Sequence, residues 1–203
     1  MRDYFLTLAS RDAPALVLER FYRAAGLLDT LDHVERVAAE ACRLAERLGL
    51  DEEAANLAGL AHDLGGVVPV EERVAVAEGM GLAVSEADRA MPLVLHGPIA
   101  AEAAAWKLGV DDDEVLNAIR YHTTLRRGAG LLEKVIFVAD KMAYDPTSPH
   151  RGEYLPAMQE ASSLDGAALA YLDFLLDNTW RYGWYLHPRA VAAYRELLDR
   201  TRR

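Results

Sequence analysis

The sequence predicts an all-α fold. Three observations carry this: apolar residues recur at three- and four-residue spacing along most of the chain, alternating β-branched runs are nearly absent, and glycines and prolines fall between the periodic segments. The expected architecture is one globular helical bundle with orthogonal packing and additional C-terminal helices.

Over 32–48, Val34, Val37, Ala38, Ala41, Leu44, Ala45 and Leu48 mark one buried helix face, and Gly49 stops it. Asp51, Glu52 and Glu53 suit the first turn of the next helix. That helix runs through Ala54, Leu57, Ala58 and Ala61 into His62-Asp63, and Gly65-Gly66 breaks it. A third segment begins near Pro69, with Glu71 and Glu72 early in it. Further helices are expected over 98–108, 112–122, 130–142, 154–164, 166–184 and 188–200. Residues 145–152, with Pro146, Ser148, Pro149 and Gly152, read as a loop within one domain spanning 1–203.

The 203 residues are 52% hydrophobic and 27% charged, enough for a core without disulfides and unlike a disordered chain. No uncharged apolar run reaches about 18 residues, which argues against a membrane span. The start of the chain, with Arg2, Asp3, Arg11 and Asp12, does not read as a secretory signal. A single cysteine, Cys42, excludes an intrachain disulfide, and the expected location is cytoplasmic. Basic residues number 22 against 32 acidic, a net charge of −10, and the only lysines are Lys107, Lys134 and Lys141. That balance makes non-specific nucleic-acid binding a poor first expectation, although a local basic cleft stays possible. To handle phosphates the chain needs local arginines or bound cations.

The chain has six histidines: His33, His62, His96, His122, His150 and His187. His33 lies beside Val34 and four before Val37; His62 follows Ala58 by four; His122 follows Ile119 by three. Asp140 follows Ile136 by four, which puts a carboxylate on an apolar face. Such a carboxylate is costly unless it is paired or holds a metal. Taken singly, each inward histidine reads as a hydrogen-bonded core residue, and His62-Asp63 as a solvated pair at a helix end. The coincidence of several on different helices favours a metal site. Histidine and aspartate together suit zinc, iron, manganese or magnesium, and no cysteine competes for a structural zinc role. His150 falls in the loop and His187 precedes Pro188 at a helix start, so neither joins the pattern.

The ordered set His33, His62-Asp63, His96, His122 and Asp140 resembles the H…HD…H…H…D pattern of HD-domain metal-dependent phosphohydrolases. The strings AGLAHDL (58–64), LHGPIAA (95–101), DDEVLNAIRYHT (112–123) and LLEKVIFVAD (131–140) resemble the YqeK branch of that family, and the likeness runs from about residue 30 to about 190. The resemblance implies a metal-binding core over about 30–142 and C-terminal helices over about 152–203. It implies symmetrical cleavage of diadenosine tetraphosphate to ADP at a centre of two divalent ions, with iron favoured and manganese or magnesium compatible. By the same resemblance His33, His62, Asp63 and Asp140 hold the first metal. Asp63 bridges to the second, which His96 and His122 complete. Asp63 and His62 form the catalytic pair, and Thr123 and Arg126 contact substrate. A carboxylate can bridge two cations, and a cation pair activates water and clamps phosphate oxygens.

The likeness departs where the family usually carries cations. Thr30 stands three residues before the first histidine in place of arginine, and Gly66 three after the aspartate of the pair in place of lysine. Pro146 falls near a further arginine position, with Arg151 arriving later, and Leu125 replaces a glycine between Thr123 and Arg126. Arg126, Arg127 and Arg151 either compensate or are ordinary surface arginines. Three readings stay open: a dinucleotide polyphosphate hydrolase, a phosphohydrolase acting on a nucleoside mono- or triphosphate or another small phosphoester, and a degenerate HD domain that binds nucleotide or metal without turnover. The expected partner is a small nucleotide. The cluster Trp180, Tyr182, Trp184 and Tyr185 is compatible with a core or with a homodimer contact.

Overall fold

Apolar periodicity becomes helix over most of the described residues. The computed structural model describes residues 4–8, 12–144, 147–148 and 150–201. Among these, eleven α-helices follow in order: α1 (Pro14–Ala24), α2 (Leu28–Leu48), α3 (Glu52–Ala61), α4 (Arg73–Gly79), α5 (Glu86–Ala90), α6 (His96–Leu108), α7 (Asp113–Tyr121), α8 (Leu131–Met142), α9 (Arg151–Glu160), α10 (Leu164–Tyr182) and α11 (Pro188–Thr201). No strand occurs among the described residues. Side-chain caps set several starts: Asp51 accepts from the Glu53 and Ala54 amides, Asp112 from Glu114 and Ser163 from Gly166. Each such cap contributes about 1 kcal/mol.

Helix α2 buries Leu31, Val34, Val37, Ala38, Ala41, Leu44 and Ala45. Leu48, expected on the same face, is 42% exposed because it sits in the last turn beyond its neighbours. Helix α3 lies on α2 nearly backbone to backbone. A Cβ on Gly59 would stand 2.6 Å from Ala38 Cα, so only glycine permits this approach. The contact brings the end of α3, and with it His62, against His33 of α2. Helix α8 runs through the middle of the body, buried from Leu132 to Lys141 and packed against α2, α7 and α10. Its buried charges, Glu133, Lys134, Asp140 and Lys141, are each paired, as burial requires.

Several boundaries differ from expectation. Helix α1 buries Val17, Leu18, Phe21 and Tyr22, yet Ala13 offers no side-chain cap to announce it. Helix α6 starts at His96 rather than at Pro98. Helix α9 spans Arg151–Glu160, not 154–164, and carries Pro156 within it. Of the expected loop 145–152, Asp145, Pro146 and Pro149 lie outside the described residues, and Arg151 and Gly152 are helical. Trp184 is half-buried and packs against Phe174, Tyr182 and His150, whereas Trp180 is 94% exposed. Among the described residues no helix is long and apolar enough to cross a membrane.

Candidate metal centre

Five helices deliver the site, three through their own residues and two through the residue that ends them. His33 comes from the buried stripe of α2 and Asp140 from α8, while His62 and His122 cap the C-termini of α3 and α7 and His96 opens α6. Asp63 follows His62 where the chain leaves α3 and enters the 3₁₀ turn Leu64–Val67. Gly65 in that turn lies under the start of α6, where a Cβ would come 2.2 Å from the His96 carbonyl oxygen.

Three imidazoles are oriented in the same way. Nδ1 of His62 donates to the Gly59 carbonyl (2.7 Å), that of His96 to Leu93 (2.6 Å) and that of His122 to Ile119 (2.8 Å). Each ring thereby turns an Nε2 lone pair inward, as metal-binding histidines do. The inward atoms converge. His33 Nε2 lies 3.1 Å from Asp140 Oδ1 and 3.8 Å from Asp63 Oδ2, and His62 Nε2 lies 3.6 Å from Asp63 Oδ2 and 3.8 Å from Asp140 Oδ1. On the other side, His96 and His122 Nε2 lie 3.2 and 3.7 Å from Asp63 Oδ1 and 2.8 Å from each other.

The donor set fits divalent metal. His62 Nε2 is buried with no hydrogen-bond partner, a costly condition that a cation relieves. With Nδ1 donating on both rings, the His96 and His122 Nε2 atoms turn toward one another at 2.8 Å, the spacing of two ligands on one ion. Separations of 2.8–3.8 Å match neighbouring ligands on one cation with bonds of about 2.0–2.2 Å. Groups of three donors within 4.8 Å of one another form twice around Asp63, with His33 and His62 and with His96 and His122, and once more from His62, His122 and Asp140.

The electrostatics hold these groups ready to ligate. Burial pushes the His62 and His122 imidazoles down, toward the neutral form. Burial opposes ionisation of Asp63, but His62, His96 and His122 prevail and hold it far below the usual carboxylate range. At Asp140 burial is likewise overcome, by Lys141 first and then by the imidazoles. His33 goes the other way: burial works against its charged form, and Asp140 with Asp63 raises it. Neutral imidazoles and ionised carboxylates are the forms that bind metal.

Two buried cations behind the donors escape a sequence reading. Arg73 Nη1 donates to the Leu93 carbonyl (3.0 Å), the same oxygen that orients His96. Lys141 lies against Asp140. Thr123 Oγ1 falls 3.3 Å from His96 Nε2 and 3.0 Å from His122 Nε2, at the edge of the cluster. Arg126 is held by a bidentate pair with buried Glu133 (2.7 and 2.7 Å), with its guanidinium over the Tyr121 ring. Leu125, where the resemblance leads one to expect glycine, keeps a left-handed backbone (φ 58°), a conformation costing a leucine about 1 kcal/mol or more. Arg151 donates to the Met142 carbonyl and Arg127 is exposed. His150 pairs with Glu153, and His187 is buried beside Asp88 (3.3 Å). A groove of about 870 Å³ bordered by Arg36, Arg43, Met142 and Met158 contains none of the six donors, so convergence of donors, not concavity, marks this site.

The HD domain family model matches residues 30–145, an interval that holds all six donors. The chain belongs to the HD-domain family. The symmetrical bis(5'-nucleosyl)-tetraphosphatase of Staphylococcus aureus is 33% identical over 174 residues, 83% of this chain and 82% of that protein. The enzyme of the same name from Halalkalibacterium halodurans is 29% identical over 188 residues, 91% and 92% of the two chains. The crystal structure of a protein from Clostridium acetobutylicum, described as a predicted HD superfamily hydrolase involved in NAD metabolism, superposes with a TM-score of 0.82 at 30% identity, covering 90% of this chain and 96% of that one. This HD-domain chain is a phosphohydrolase, and its His/Asp clusters are of the kind that binds divalent metal.

Proposed function

We propose that this HD-domain protein cleaves diadenosine tetraphosphate symmetrically, with His33, His62, Asp63, His96, His122 and Asp140 holding two divalent cations. One observation carries the reading: the two oxygens of Asp63 face different clusters, Oδ2 toward His33 and His62 and Oδ1 toward His96 and His122. Asp140 completes the first cluster. Cations so held would supply water of near-neutral pKa and neutralise phosphate charge. Asp63 and His62 act through what they hold, and no other strong base is needed. The Thr123 hydroxyl, within reach of both Nε2 atoms of the second cluster, donates to a phosphate oxygen. Arg126 uses Nε and one Nη2 hydrogen on Glu133, which leaves the Nη1 hydrogens for substrate.

Water adds across the middle phosphoanhydride, its oxygen remains on one product, and two ADP leave. Thr30 and Gly66 leave the pocket short of two cations, and each charge-assisted phosphate contact is worth about 1.5–3 kcal/mol. The same two positions favour a second reading, turnover of a nucleoside mono- or triphosphate or another small phosphoester that needs fewer contacts. Iron is the favoured metal, with manganese or magnesium compatible. The protein works on a free nucleotide in the cytoplasm, and a homodimer is compatible with the exposed Trp180 surface.

Anaerobic assays with iron(II), manganese or magnesium and a nucleotide panel test this. ADP as the sole product of diadenosine tetraphosphate is expected, at a modest rate. ATP plus AMP, or no turnover with any metal, overturns the proposal, and faster turnover of a smaller phosphoester selects the second reading.

A further inference from the structure

Lys141 is 6% exposed, and an ammonium is seldom buried so far without paired acceptors. Its Nζ has two. It donates to Asp140 Oδ2 and to the backbone carbonyl of His122 at 2.8 Å. The rings of Phe137 and Tyr171 lie 4.6 and 5.5 Å from the charge and enclose it. Asp140 and His122 stand on different helices, and each is a donor of the centre described above. Asp140 turns its other oxygen toward His33 (3.1 Å) and His62 (3.8 Å). The His122 carbonyl belongs to the residue that closes α7, so whatever fixes that carbonyl also fixes where the imidazole begins.

We propose that Lys141 is a positioning residue that sets both halves of the metal centre. By occupying Oδ2, it leaves Asp140 a single oxygen to offer. By anchoring the end of α7, it holds the His122 ring against His96 and Asp63. The inference rests on the reading that the six donors hold divalent cations. A lysine that merely neutralises a buried carboxylate for folding would affect stability and leave metal affinity alone, so the two roles separate by experiment.

Metal-free parent protein and Lys141→Met are titrated with Mn²⁺, free ion is followed by electron paramagnetic resonance, and thermal melts of the metal-free forms run alongside. Methionine keeps the length and loses the charge and donors. Groups that orient metal ligands typically control about 10–100-fold in affinity. The folded variant is therefore expected to bind Mn²⁺ at least tenfold more weakly than the parent. Folded Lys141→Met with affinity within threefold of the parent overturns the positioning role and leaves the metal centre standing. A parent that binds no Mn²⁺ overturns the metal reading and this inference together. If the methionine variant does not fold, Lys141→Gln carries the same expectation and the same refutation. Failure of both to fold assigns Lys141 to stability and overturns the proposal.

Discussion

Gly65→Ala probes the link between the turn after α3 and the second half of the site. An added Cβ would meet the His96 carbonyl oxygen at 2.2 Å, its carbon at 2.9 Å and His96 Cα at 3.0 Å. All three atoms are backbone, so no side chain can swing aside. Ordinary van der Waals separation requires an opening of about 1 Å. His96 Nε2 now lies 3.2 Å from Asp63 Oδ1, and the shift carries it out of a shared coordination sphere. Overpacking of this kind costs about 1–3 kcal/mol, and the upper end is expected here. For a chain of this size that lowers Tm by about 6–12 °C. Calorimetry of the metal-free protein reads the first effect, and elemental analysis after manganese loading reads the loss of one metal. Gly66→Ala is the control: nothing lies within 4 Å of its Cβ position, and the change is expected within about 0.5 kcal/mol of the parent. A Gly65→Ala protein with parental Tm and full metal content would refute the reasoning.

Asp63→Asn keeps the shape and removes the carboxylate shared by both clusters; turnover should fall at least about 10³-fold, or about 4 kcal/mol, with metal content below half that of the parent. Gly66→Lys fits the open space and restores a cation, so its kcat/KM on diadenosine tetraphosphate should exceed the parent's, read by product chromatography; a lower value would show that position 66 does not face the phosphates. The metal-free protein should lose stability on acidification from pH 7.5 to 5.5. His62, His122 and His187 are held below the ordinary imidazole range by burial, so the unfolded chain binds protons that the folded chain refuses as pH passes about 6.5. His33, held above it, contributes the opposite sign and is outnumbered. Asp63 and Asp140 titrate too low to act in this window. Melting curves at the two pH values check the sign, and a higher Tm at pH 5.5 would contradict it.

The helical class was legible because a stripe such as Val34, Val37, Ala41 and Leu44 permits little else. The convergence of the proposed donors was legible in part: His33, His62, His122 and Asp140 by their spacing on apolar faces, and Asp63 and His96 only through the order that resembles a family pattern. Helix α1 was not, since Ala13 supplies no capping side chain. Arg73 and Lys141 were hidden for a different reason: a buried cation looks like a surface residue until the carbonyls and carboxylate around it are seen. Gly65 and Gly66 read alike as helix breakers, yet one underlies a backbone contact and the other faces open space. The Arg126 spacing suggested a free phosphate ligand, but its bidentate partner Glu133, seven residues later, could not be read from sequence.

Anomalous diffraction from crystals of the manganese-loaded protein tests the central claim most directly. The account predicts two peaks, one on each side of the Asp63 carboxylate, the first among His33, His62 and Asp140 and the second beside His96 and His122. A single peak that leaves His96 and His122 hydrogen-bonded to protein groups, or no peak at all with Asp63 paired only to imidazoles, would contradict it.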